Sequence, residues 1–154
     1  MKHLDRIIEV YNLYCKYRYS IFFFSLLVFS SCKTYEISDL PDEQIIFGNG
    51  GGITGATTSY IMLKNGQIFK TNSLQGDTTA LIKIKPKLAK AYFEQMTQFD
   101  WEKTEVNQPG NTYKFITRKN TEHTYHATWG ASGYEPPADL KSLYESLKKE
   151  LVEE

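Results

Sequence analysis

The chain has 154 residues, enough for one domain, with 41% hydrophobic and 23% charged residues and an aromatic set that includes 11 Tyr and 9 Phe. That composition supplies an apolar core and excludes a disordered chain. Formal net charge is zero with the signs interleaved, so no electrostatic footprint for nucleic acid is present. The first element in chain order is an export signal. Lys16-Tyr17-Arg18-Tyr19 precedes the apolar run Ile21 to Phe29, followed by Ser30-Ser31-Cys32. As a helix the run spans about 14 Å, against roughly 30 Å of bilayer hydrocarbon, too short for a comfortable membrane span. A basic flank, a short apolar core and small residues form the layout of a secretory signal over residues 1–31. Without that segment, 14 basic face 16 acidic side chains, a net charge of about −2.

Phe29-Ser30-Ser31-Cys32 resembles the lipobox of bacterial lipoproteins, with Phe where Leu is usual. The resemblance implies that Cys32 becomes the mature amino terminus and carries acyl chains. Two or more chains, at about 0.8 kcal/mol per buried methylene, anchor stably. It also implies a cell-envelope location, in the outer membrane of a Gram-negative bacterium, since Lys33 rather than Asp follows the cysteine. Cys15 and Cys32 are the chain's two cysteines. Cleavage and acylation would leave no free thiol, which excludes zinc–thiolate sites and cysteine nucleophiles. Residues 32–42, polar with one Pro, read as a lipidated tether; ten residues reach at most about 35 Å.

From residue 43 to 154 a single domain is expected. Gln44–Phe47 is a short apolar strand, broken by Gly48-Asn49-Gly50-Gly51-Gly52. The Thr-, Tyr- and Ile-rich stretch Thr57–Lys64 joins Gln67–Lys70 through Asn65-Gly66, a type I′ hairpin signal. A fourth strand is predicted at Thr79–Lys85, stopped by Pro86, which suits the first turn of a helix. Leu88, Ala89, Tyr92, Phe93, Met96 and Phe99 then recur at spacings of three and four, an amphipathic helix over Lys87–Phe99. Beyond Pro109-Gly110 a second hairpin is predicted, Thr112–Arg118 and Glu122–Trp129, with alternating faces. The last helix carries the stripe Leu140, Leu143, Tyr144, Leu147 and Leu151. The expected fold is α+β: an antiparallel sheet of about five to six strands in the order β-β-β-β-α-β-β-α, with two amphipathic helices packed on it.

Candidate chemistry is sparse. Gly50-x-Gly52-x-x-Gly55 matches the dinucleotide fingerprint literally, but a β-branched sequence follows where a helix N-terminus is needed. It reads instead as a flexible hairpin loop, glycine-rich enough to fit closely against a partner's backbone. His123 and His126 stand three apart, so on a strand they point to opposite faces and cannot clasp one metal; His123 is expected near the core side and His126 in solvent. Asp100, Glu102 and Glu105 read as solvated carboxylates after a helix, and Ser132 lacks the spacing of a nucleophile elbow. No catalytic residue, metal site or cofactor is expected, and the chain is not expected to be an enzyme.

Gly51-Gly52-Ile53-Thr54-Gly55, running into a Thr-rich strand, resembles the Gly-Gly-aromatic-small-Gly opening of emfourin-type proteins, small inhibitors of thermolysin-like metalloproteases. The likeness extends in element order over about residues 47–150, through the central helix, Pro109 to Tyr113, and the helix introduced by Pro137; Ile53 replaces the usual aromatic. It implies a partner-binding role for Gly50, Gly51, Gly52, Ile53, Thr54 and Gly55, with a metalloprotease as one such partner. The alternative expectation is a structural or assembly component of an envelope complex without inhibitory activity.

Overall fold

A computed structural model describes residues 33–101 and 105–151. The export signal and Cys32 lie outside the described residues. Residues 34–151 belong to one compact unit with the order β1 (Gln44–Gly51), β2 (Thr57–Met62), β3 (Gln67–Asn72), β4 (Thr78–Lys83), α1 (Pro86–Gln98), β5 (Asn107–Gln108), β6 (Thr112–Lys119), β7 (Thr124–Trp129) and α2 (Ala138–Lys149). The fold is α+β. Its sheet has seven strands ordered β4-β3-β2-β1-β6-β7-β5. Six are antiparallel neighbours, and β5 pairs parallel with β7.

Two expectations about the sheet need correction. The sheet is mixed and seven-stranded, not purely antiparallel with five to six. The extra strand is two residues long, too short for any periodic signal, and it rests on long-range bonds from Thr128 N to the Val106 carbonyl and from Ala131 N to the Gln108 carbonyl. The first strand does not break at Phe47; β1 continues through Gly48, Asn49 and Gly50 to Gly51, paired on both sides.

Alternation sorts the sheet into two faces. Ile45, Phe47, Met62, Ile68, Ile116, Ala127 and Trp129 face the helices and meet Ala89, Tyr92, Phe93 and Met96 of α1 and Leu140, Leu143, Tyr144 and Leu147 of α2 in one core. Pro86 opens α1, and the Trp101 indole donates 2.8 Å to the Met96 carbonyl, satisfying one acceptor at the helix end. Trp101 then stacks on Tyr125, and Tyr125 on His123. His123 is therefore exposed in the turn before β7, not on the core side as expected.

The opposite face holds a second set of buried side chains, Leu63, Phe69 and Phe115, outside the main core. Here the glycines of β1 have a packing function. A Cβ on Gly48 would overlap the Thr58 carbonyl and crowd the tip of the Phe115 ring; one on Gly50 would lie 2.7 Å from both the Tyr113 hydroxyl and Thr57 Oγ1. The Tyr113 ring thus crosses β1 over Gly50, and its hydroxyl meets Thr57 of β2 at 3.1 Å. Aromatic rings laid over strand glycines restore the packing that glycine lacks.

Residues 34–42 are not a free tether in the described unit. Tyr35 N donates to Gln67 Oε1 at 2.8 Å and Gln67 Nε2 returns a bond to the Tyr35 carbonyl at 3.1 Å, so a side-chain amide imitates strand pairing. A short 3₁₀ turn at Ile37–Asp39 follows, and Gln44 Nε2 donates to the Pro41 carbonyl.

Gly48→Ala and Gly52→Ala should therefore differ sharply in urea unfolding. The first forces overlap inside a central strand and is expected to cost about 3 kcal/mol. The second adds a Cβ in open space and strains a positive φ, a cost of about 1 kcal/mol. Equal costs would show that close packing at Gly48 is not what excludes a side chain there.

Candidate functional site

The glycine-rich segment divides into a buried and an exposed part. Gly50 is buried in β1, and Gly51 ends that strand at φ 96° against the Asn111 carbonyl. Gly51 N donates to the Ala56 carbonyl at 3.1 Å, Gly52 N to the Asn111 carbonyl at 2.7 Å, and Gly55 N to the Gly52 carbonyl at 3.2 Å. Thr54 Oγ1 accepts from Ala56 N. Gly52 and Gly55 have φ of 74° and 63°, the left-handed region that glycine adopts without a Cβ penalty. The expected flexible loop is thus a hydrogen-bonded turn tied to the β5–β6 connection. Its tip, Ile53, is fully exposed at 106% of the reference surface.

A second apolar tip lies at the same end of the sheet. Leu74, in the β3–β4 turn, is 65% exposed. That turn is joined to the start of β2, because Ser73 N donates to the Thr57 carbonyl at 2.9 Å and Thr57 N to Ser73 Oγ at 2.8 Å. Strand register places Tyr35 and Gln67 at the opposite end, since Gly50 pairs with Thr57 while Ile45 pairs with Met62 and Met62 with Ile68.

Between the turn and α2 opens a groove of about 660 Å³. Gly50, Gly51 and Ala56 form its edge beside the turn, and Trp129, Tyr134 and Tyr144 supply aromatic walls. Lys141, Glu145 and Lys148 also line it; spaced four and three apart, they share one stripe of α2. Buried Tyr144 donates its hydroxyl to the Gly48 carbonyl at 3.0 Å, and its ring meets Trp129 edge-on at 5.2 Å. Burial pushes the Tyr144 phenol well above its ordinary value, with Glu145 adding to the shift; it stays a donor at any physiological pH. Lys114 pairs with Glu145 at 2.7 Å and Lys141 with Glu135 at 2.6 Å. Lys148 sits over Tyr60, 4.6 Å from the ring centre. Burial pulls its ammonium below the usual lysine value, Glu145 opposes, and Lys114 and Lys70 push further down.

Nothing in the sequence patterns singled out this groove. The α2 stripe was legible, but it reads as the polar flank of an amphipathic helix until β6 and β7 bring Lys114 and Trp129 beside it.

His126 lies on the sheet face away from the helices and is exposed, as expected, with both ring nitrogens hydrogen-bonded. Its Nδ1 meets Thr117 Oγ1 at 2.7 Å and its Nε2 meets Thr128 Oγ1 at 2.6 Å, with Phe115 alongside at 5.9 Å. Burial lowers its pKa below 6.5. Asp100, Glu105 and Ser132 are exposed, and Glu102 lies outside the described residues. Among the described residues no group of three His, Cys, Asp or Glu side chains could hold a metal ion. Among them, too, no helix is long and apolar enough to cross a membrane.

The chain matches no protein-family model and no curated protein sequence.

The neutral form of His126 is favoured by the fold, so the unfolded chain takes up the proton first as pH falls. Its contribution to stability is full above about pH 6.5 and declines as pH drops from there through the lower folded value. Unfolding free energies measured from pH 7.5 to 5 should fall less steeply in His126→Gln than in the parent; identical slopes would assign the decline to other groups. Removing the Tyr144 hydroxyl with Tyr144→Phe deletes its buried hydrogen bond to the Gly48 carbonyl and should cost about 1–1.5 kcal/mol in urea unfolding at pH 7.

Proposed function

We propose that this chain is an exported protein anchored to the bacterial cell envelope through lipid on Cys32, whose domain binds a protein partner through the end of the sheet that carries the glycine turn. The observation that carries the binding reading is the pair of apolar tips, Ile53 and Leu74, on two turns tied to the same strand start. A single exposed aliphatic side chain is ordinary on a protein surface. Two on hydrogen-bonded turns at one end, beside an aromatic groove, form a preorganised surface, and ordering such tips beforehand lowers the entropic cost of association. Tyrosine and tryptophan walls are also what interfaces favour.

The anchoring reading is supported by the basic, apolar and small-residue succession before Cys32. It fits the docked segment as well. With Tyr35 held against Gln67, two residues, Lys33 and Thr34, separate the lipidated cysteine from the docked Tyr35, a reach of about 10 Å over three Cα–Cα steps. The domain then stands close to the headgroups on its Gln67 end, and Ile53 faces away from the lipid toward other proteins. Inhibition of a thermolysin-like metalloprotease is the version of this function that the glycine-turn resemblance adds.

Two measurements test the proposal. Palmitate labelling in a bacterial host should mark the parent chain and not Cys32→Ser, with intact mass showing cleavage after Ser31; an unlabelled, uncleaved parent rejects the anchor. A photocrosslinking residue at position 53 should give a discrete protein adduct in native membranes, lost when Leu74→Ser is added; no adduct rejects protein binding by this end. The inhibitory version predicts slower peptide hydrolysis by a thermolysin-like enzyme at micromolar full-length chain, weakened at least about tenfold by Ile53→Ser, the loss expected of an interface anchor.

A further inference from the structure

The groove beside the glycine turn carries a lysine without an ion-pair partner among the described residues. Lys114 and Lys141 each hold a carboxylate, Glu145 and Glu135. Lys148 has none within ion-pair distance among the described residues; its ammonium rests on the Tyr60 ring. Lys70 and Lys114 both repel it, and Glu145, already engaged by Lys114, attracts it. A partly buried cation without a counter-ion is costly, and contact with a ring face offsets only part of that cost.

The form of the groove narrows what can pair with Lys148. It is a partly open cleft, whereas small-molecule sites bury about 70–90% of their ligand. Gly50, Gly51 and Ala56 line the groove and also form the base of the Ile53 turn, so a chain resting on Ile53 continues into it. Half-buried Tyr134 supplies an aromatic wall and the buried Trp129 and Tyr144 lie at the base, a shape suited to an extended backbone and short side chains.

We propose that this groove receives an acidic side chain of the partner polypeptide, an Asp or Glu whose carboxylate pairs with Lys148 while the flanking residues lie along Trp129 and Tyr134. The proposal rests on the protein-binding reading above and names the chemistry of that partner.

The test uses the full-length chain in mild detergent, ¹⁵N-labelled, titrated at low salt with hexaglutamate and, separately, hexalysine. Hexaglutamate should shift the Trp129 indole resonance saturably and hexalysine should not. Lys148→Met, which keeps the stem over Tyr60, should weaken hexaglutamate at least about tenfold, and Lys148→Arg, which keeps the charge, should stay within about threefold. Lys87→Met, on the exposed side of α1, should leave binding unchanged. The proposal is overturned if Lys148→Met binds like the parent, if hexalysine shifts the same resonance, or if hexaglutamate shifts nothing. Complete displacement of hexaglutamate by inorganic phosphate at equal charge also overturns it, in favour of a small-anion site. Should Lys148→Met unfold, equal affinity of Lys148→Gln and the parent has the same force. Failure of the binding reading is separable: the position 53 adduct is then missing while hexaglutamate still depends on Lys148. Failure of the groove assignment alone leaves the adduct and removes that dependence.

Discussion

The passage of two aromatic rings across β1 at Gly48 and Gly50 is the constraint on which the rest of the structure depends. β1 is the middle strand of seven, so anything that displaces it displaces both halves of the sheet. On the face away from the helices it carries no side chain at two alternate positions, and Phe115 and Tyr113 fill the space. Tyr113 then reaches Thr57 on the far side, binding β6 to β2 over the strand between them. On the other face, the Tyr144 hydroxyl bonds the Gly48 carbonyl and draws α2 against the same residue. Thus one glycine position locates a helix on one side and an aromatic layer on the other.

This arrangement has consequences at the end of the sheet. Because β1 stays paired through Gly51, what protrudes beyond it is short, and backbone bonds to Ala56 and Asn111 close it. Ile53 is displayed on a framework rather than on a long loop. The same continuity places Lys114 and Trp129, neighbours in the β6–β7 register, opposite the α2 stripe of Lys141, Glu145 and Lys148. Exposed ion pairs such as Lys114–Glu145 contribute little to stability, about 0–1 kcal/mol. Their importance here is to occupy Glu145, which leaves Lys148 resting on Tyr60.

Much of the fold was legible because its signals are local. The Asn65-Gly66 turn, the spacing-three-and-four stripes of α1 and α2, and the alternation of β7 report the face that each element buries, and burial of that face is what makes each element stable. The site was legible only in part. Gly50–Gly55 stood out by composition, yet composition does not say that Gly50 is a packing glycine while Gly52 and Gly55 are turn glycines. That distinction depends on Tyr113, more than fifty positions away, and on Asn111. His126 reads as a solvent residue because strand alternation puts it on the wet side, and it is exposed there; alternation does not report that Thr117 and Thr128 bond both of its ring nitrogens. Lys148 gave no signal at all, since a lysine on the polar flank of a helix is the commonest kind.

The sequence by itself determined the α+β class, the order of most elements and the apolar faces that meet in the core, because hydrophobic periodicity and turn chemistry act over a few residues and need no partner. Tertiary structure decided the seventh strand, the course of β1 through its glycines, the docking of Tyr35 on Gln67 and the groove around Lys148. Each of these is a contact between segments far apart in the chain, and its free energy exists only once the sheet has brought them within reach.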